Sequence, residues 1–120
     1  MKTVYRLECS DGVGVHASSS KSQEVYEITW RWHNRHVEER PGFYDDFPFA
    51  LEASIELRKQ FRFGCESVES LKSWFTEEIY EALLATGEVK LVKYQSNKFF
   101  IGESGMQIAF IPEVAGEIIN

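Results

Sequence analysis

The sequence predicts an α+β domain with antiparallel strand pairing, and three observations carry that prediction. Residues 2–9, KTVYRLEC, alternate and are rich in β-branched and aromatic side chains. Residues 67–86 hold two capped, helix-periodic segments in succession, and residues 88–112 hold short alternating runs separated by Ser, Asn and Gly. Strands thus gather at the two ends with helices between them, which favours segregated layers over a parallel βαβ array.

The first strand sets Val4, Arg6 and Glu8 on one side and Tyr5, Leu7 and Cys9 on the other. SDGVGVHASSSKS follows as a loop, with glycines at 12 and 14. Residues 21–35 fit two periods. Tyr26, Ile28, Trp30 and Trp32 alternate as in a strand, whereas Val25, Ile28, Thr29 and Trp32 form one helical stripe. Ser20 and Gln23 fit a capping box, and Glu24 suits a first turn, so a helix is predicted. VEERPGFYDDFP is read as a loop because of Pro41, Gly42 and Pro48, and FALEASIELRKQ as a short helix through Leu51, Ile55 and Arg58.

FRFGC reads as a brief extended piece. Ser67 caps VESLKSWF, Thr76 caps EEIYEALLAT, and Gly87 ends it. Leu71, Trp74, Phe75, Ile79, Ala82 and Leu83 are the predicted core of this pair. EVKLVKY, KFFIGES and MQIAFIP then predict a three-strand antiparallel meander, and EVAGEIIN a tail docked through Ile118 and Ile119. In all, an N-terminal strand, two to four helices and a C-terminal meander form one domain over residues 1–120.

With 120 residues, 43% of them hydrophobic, the chain can build one sizeable core. No window approaches the roughly 18 apolar residues of a membrane span, and the N-terminus turns polar too early for a signal peptide. A cytoplasmic protein without a membrane partner is expected. Cys9 and Cys65 are too few for a disulfide framework and read as reduced thiols. The net charge of −6 argues against direct nucleic-acid binding through phosphate neutralisation.

Each candidate site has a structural reading beside the chemical one. In TWRWHNRH, His33 and His36 share a helical face and could open a metal site with Asp45, Asp46 or His16. No zinc-protease spacing accompanies them, and a polar helix end explains the same residues, so no metal and no cofactor are expected. Arg31, Arg35 and Arg40 with Trp30 or Trp32 could grip a single strand, but Glu38 and Glu39 follow at once. DGVGV lacks a third glycine and a phosphate-binding lysine, so it reads as a hairpin-like turn. Asp45 and Asp46 stand side by side without partners to tune them. Glu66, Glu69, Glu77, Glu78 and Glu81 line the two helices and are the predicted binding surface, complementary to a basic partner.

VYRLE, FGCESVESLKSWF, GEVKLVKY and IGESGMQIAF together resemble small proteins of tailed phages and prophages, whose order of strand, Trp-Phe helix and glutamine-bearing closing strand spans most of this chain. The resemblance implies a phage origin. A second set of residues resembles ADP-ribosyltransferases of the Arg-Ser-Glu type. That resemblance implies catalytic places for Arg6, Ser18, Ser20 and Glu103 and NAD as the co-substrate, although Gln107 stands where such enzymes usually carry glutamate.

The function these readings predict is host takeover or anti-defence. The protein would act in the host cytoplasm by binding and inhibiting a host protein or nucleoprotein complex, such as a CRISPR complex, without turnover. The alternatives are a small NAD-dependent ADP-ribosyltransferase-like enzyme and a phage structural or regulatory protein.

Overall fold

Two small antiparallel sheets meet edge to edge, and helices cover them. A computed structural model of the protein describes residues 1–119. The strands are β1 (Lys2–Glu8), β2 (Arg62–Gly64), β3 (Lys90–Ser96), β4 (Phe99–Ile101), β5 (Ile108–Phe110) and β6 (Glu117–Ile118). The helices are α1 (Gln23–His36), α2 (Phe43–Asp46), α3 (Ile55–Gln60), α4 (Val68–Phe75) and α5 (Glu77–Ala85), with 3-10 turns at Val37–Glu39 and Pro48–Leu51. No helix among the described residues is long and apolar enough to cross a membrane.

The first sheet has the order β1-β3-β6 and the second β2-β5-β4. β1 pairs with β3 along its whole length, from Lys2 opposite Ser96 to Glu8 opposite Lys90. The sheets are joined where Tyr5 and Cys65 exchange both backbone hydrogen bonds at 2.8 Å. Gly64 permits that junction, since a Cβ there would run into the Tyr5 carbonyl and the Val4 side chain.

The expected C-terminal meander is divided between these sheets. β4 and β5 form a hairpin-like pair, but β3 leaves it to lie between β1 and β6. Leu91 and Val92 point to opposite faces and are both buried, so β3 is the covered central strand of its sheet, flanked by β1 and β6. The α+β class and antiparallel pairing are as predicted, with five α-helices where two to four were expected.

α1 settles the ambiguity at residues 21–35 in favour of the helix. Val25, Ile28, Thr29 and Trp32 are its buried stripe, and Arg31 and Arg35 are exposed. Its cap is Ser22, whose hydroxyl accepts from the Val25 amide at 3.3 Å, not the predicted Ser20. Ser67 and Thr76 cap α4 and α5 as read from sequence, through the Ser70 and Ile79 amides. Gly87 follows α5 at φ 77°, a left-handed position that stops the helix.

The expected helix through Leu51 and Ile55 is broken at residues 52–54. Ser54 caps a separate α3, and both Leu51 and Ile55 are exposed. The tail also docks differently from the prediction. Ile118 and Ile119 point outward, and β6 is held by backbone pairing to β3. Gly116 makes room, because a Cβ there would collide with Val92 and Tyr94.

The main core lies under α1, α4 and α5 and includes Leu7, Trp32, Phe75 and Leu83. Val4, Tyr94 and Phe110 form a second cluster between the sheets, and Phe47, Phe61 and Ala109 a third. Cys9 and Cys65 are buried free thiols.

Candidate functional site

A cleft of about 610 Å³ opens where the loop after β1 faces β2 and the C-terminal end of α4. One wall is the Gly12–Ala17 loop, which returns on itself through Cys9 N–H to the Val13 carbonyl at 2.9 Å. Gly12 turns it at φ 76°. This is the hairpin-like turn predicted for DGVGV, and it is also the side of a pocket. Phe61, Phe63, Trp74 and Phe75 supply the aromatic lining, with His16 at 5.7 Å from Phe75 and 4.7 Å from Trp32.

Charge in the cleft is opposite to that of the molecule. Arg6, Lys59 and Arg62 line it against one carboxylate, Asp11, in a chain of net charge −6. Arg6 is the central group. Only 6% exposed, it arrives on the inner face of β1 and donates from Nη1 to the Phe63 carbonyl at 3.4 Å. Its Nε lies 3.3 Å from Glu8 Oε1 but misses hydrogen-bond geometry and is otherwise orphaned. Its Nη2 has no acceptor among the described residues and points to the glycine loop. Burial lowers the Arg6 pKa, and the charge of Glu8 acts in the opposite direction.

Behind Arg6 lies a buried polar cluster. Glu8 accepts from the Tyr94 hydroxyl, at 3.0 Å to Oε2 and closer still to Oε1. Arg62 Nη1 donates to Tyr94 Oη at 2.7 Å and reaches Glu8 Oε1 at 3.5 Å. Burial and the Glu8 contact raise the Tyr94 pKa, so the phenol keeps its proton. Two guanidinium groups share one carboxylate here, which leaves a positive excess directed into the cleft. Nε is the enclosed, unsatisfied atom, and Nη2 is the donor left without a protein acceptor beside the cleft, where an anion would add a charge-assisted hydrogen bond.

The cleft offers no activated nucleophile. Cys65 lines it, but burial pushes the thiol up to about 12, and its Sγ donates to the Met106 carbonyl at 3.4 Å. His16 is open to solvent on the cleft side, yet the surrounding protein, with Lys21 and His33 adding repulsion, holds it down to about 4. Its imidazole is therefore neutral at pH 7.

The model of the family described as bacteriophage T4 Y00F protein matches residues 1–119. The chain belongs to that family. No curated protein and no solved structure matches it. The phage origin expected from the sequence therefore holds for this Y00F-family protein, and its function has to be argued from the site.

Of the four residues that the transferase resemblance singles out, Arg6 alone lines the cleft. Ser18 is buried and donates to Asp11 Oδ2 at 2.9 Å, and Ser20 is exposed beside it at 3.1 Å, so both brace the loop from behind. Glu103 is exposed on the β4–β5 turn. Gln107 does line the cleft. The acidic residues Glu66, Glu69, Glu77, Glu78 and Glu81 are all exposed, with Glu66 3.7 Å from Lys2 and Glu81 3.8 Å from Lys72.

The histidines of TWRWHNRH do not converge. His33 stacks on Trp30 at 5.9 Å, while His36 Nδ1 lies 3.6 Å from Glu39. Among the described residues, no group of three or more His, Cys, Asp or Glu could hold a metal. Asp46 is buried and finds its partner far along the chain: it accepts from the Ser104 amide at 2.7 Å and hydroxyl at 3.0 Å. Trp74, read as core, is only partly buried because one side of its ring borders the cleft.

Sequence reasoning missed Glu8, Arg62 and Tyr94 as a unit, and Lys59, His16 and Trp74 as cleft residues. The available signal was the pair of charges at Arg6 and Glu8, two apart on a strand whose other face is apolar.

Proposed function

We propose that this phage protein serves host takeover or anti-defence by capturing, without turnover, an anionic host ligand that carries a flat ring, most simply a nucleotide, in the Arg6 cleft. One observation carries the reading. Arg6 is almost wholly buried and already has a carboxylate neighbour, yet Nε is unsatisfied and Nη2, beside Gly14 in the cleft wall, has no acceptor among the described residues. A phosphate accepts two parallel guanidinium hydrogen bonds, which suits a fork held in one orientation. Lys59 and Arg62 add charge at the rim, and the Trp74 and His16 rings supply flat apolar surface for a base. Capture would inhibit a host complex by occupying a ligand on which it depends.

Calorimetric titration of the whole chain tests this with ADP, adenosine and inorganic pyrophosphate in parallel. ADP should bind more tightly than either fragment, and Arg6→Lys should weaken it by about ten-fold or more, because an ammonium cannot make the bidentate contact. Lys59→Ala, at an exposed position, should weaken it without touching the buried cluster. Equal binding of adenosine and ADP, or no binding by any of the three, would overturn the reading.

A transferase reading has one observation in its favour: the first-strand arginine that the resemblance assigns to NAD is the one that enters the cleft. It requires the bond between nicotinamide and ribose to break and ADP-ribose to pass to an acceptor. Nicotinamide released from NAD by the wild type but not by Arg6→Lys would move the assignment from capture to catalysis.

A further inference from the structure

α1 has a second face that nothing in the fold covers. Trp30 and Trp32 are two residues apart, so they point roughly 200° apart around the helix. Trp32 enters the core, and Trp30 is left 53% exposed, its ring stacked only on His33. An open groove of about 570 Å³ runs beside it, between Glu24, Glu27, Trp30 and Arg31 of α1 and Ala82 and Ala85 of α5. The two alanines keep the α5 side low. Glu78 and Glu81 precede them by one turn each, so they extend the same wall.

Acidic side chains outnumber basic ones around this groove, although Glu81 at its edge already meets Lys72 at 3.8 Å. Glu24 and Glu78 have no ion pair or hydrogen bond among the described residues, and Glu27 meets only the Gln23 amide at 3.3 Å. Arg31 is the one basic residue lining the groove. Exposed tryptophan in a recess with a charged rim is the composition of an interface hot spot, where the ring is the anchor and the rim selects the partner.

We propose that the α1–α5 groove docks a basic segment of a partner protein. An arginine of that segment would lie over the Trp30 ring, with its charge held by Glu24, Glu27 and Glu78. Guanidinium planes stack on indole faces, and the surrounding carboxylates make arginine the fitting side chain. The groove shares no lining residue with the Arg6 cleft and stands independently of the ligand captured there. It also extends the acidic surface of α5 onto α1, where the aromatic anchor is.

The test is fluorescence anisotropy of a short dye-labelled peptide of alternating arginine and alanine, titrated with the whole chain. Binding is expected, and Trp30→Ala should weaken it by about ten-fold or more. The double variant Glu24→Gln with Glu27→Gln should weaken it similarly and flatten its salt dependence. Trp30→Ala should leave ADP binding in the cleft intact, which separates the two sites. A peptide that fails to bind would overturn the proposal, as would one that binds Trp30→Ala as well as the wild type. Sedimentation velocity covers the other occupant: a concentration-dependent dimer abolished by Trp30→Ala would assign the groove to a second copy of the chain and overturn the proposal too.

Discussion

Gly14 and Arg6 approach so closely that a Cβ at residue 14 would stand 3.2 Å from Arg6 Nη2. The glycine thereby leaves the guanidinium its open side toward the cleft. Gly14→Ala is expected to fold, because residue 14 does not have a positive φ. The added methyl would crowd Nη2 by a few tenths of an ångström. ADP affinity should therefore fall while the melting temperature stays near the parent's. Calorimetry and circular dichroism on the same sample check both halves.

Trp32 and Trp30 should separate cleanly in stability measurements. Trp32 is 4% exposed, and its Nε1 donates to the Trp74 carbonyl at 3.0 Å. Trp32→Ala should cost about 3–5 kcal/mol by denaturant unfolding, in line with truncation of other buried aromatics. Trp30→Ala removes no buried contact and should shift the midpoint little.

Tyr94→Phe keeps the ring that packs on Phe110 at 5.1 Å and removes only the hydroxyl. Glu8 then loses its closest donor and Arg62 its 2.7 Å acceptor, leaving between them only the longer contact at 3.5 Å. A loss of about 1–3 kcal/mol is expected, the usual cost of leaving a buried polar group unpaired. Urea unfolding measures it.

His16 gives stability a pH dependence with a defined sign. In the folded chain its pKa is about 4, below the 6.5 of an unperturbed histidine. Between these values the unfolded chain binds the extra proton, so stability falls as pH drops from 6.5 towards 4 and is complete above 6.5. Because the ring is open to cleft water, the effect should be modest. The gap between wild type and His16→Asn, followed by urea midpoints at several pH values, should narrow over that window. A constant gap would contradict this account.

Asp46 ties α2 to the β4–β5 turn. Beyond its side-chain contacts with Ser104, its carbonyl accepts from the Glu103 amide at 3.0 Å, and Gly102 has no Cβ because the carboxylate fills that space. Asp46→Ala should speed amide exchange at residues 103–106 well before it affects the paired β1 and β3. Uniform acceleration across the chain would instead mean global destabilisation.

Local signals in the sequence were sufficient for the parts of the fold that local chemistry decides. Ser67, Thr76 and Gly87 marked their helix ends because a cap is a bond within one turn. The α1 stripe was legible once Val25, Ile28 and Trp32 were counted together. The division of the C-terminal strands was not legible, because whether β3 pairs with β4 or with β1 is set by partners 82 to 94 residues away in the chain. The cleft was hidden for the same reason. Arg6, Arg62 and Tyr94 have no local relationship, and the DGVGV turn looked merely structural until β2 was placed opposite it.

The central claim is that Arg6 presents an anion-binding guanidinium to the cleft. It is tested most directly by following the Arg6 Nε–Hε resonance, assigned by its loss in Arg6→Lys, during titration with ADP. The account predicts a saturable shift of that signal together with the Gly12 and Gly14 amides, and quenching of tryptophan fluorescence. An Arg6 resonance that stays in place while ADP shifts signals elsewhere would contradict it.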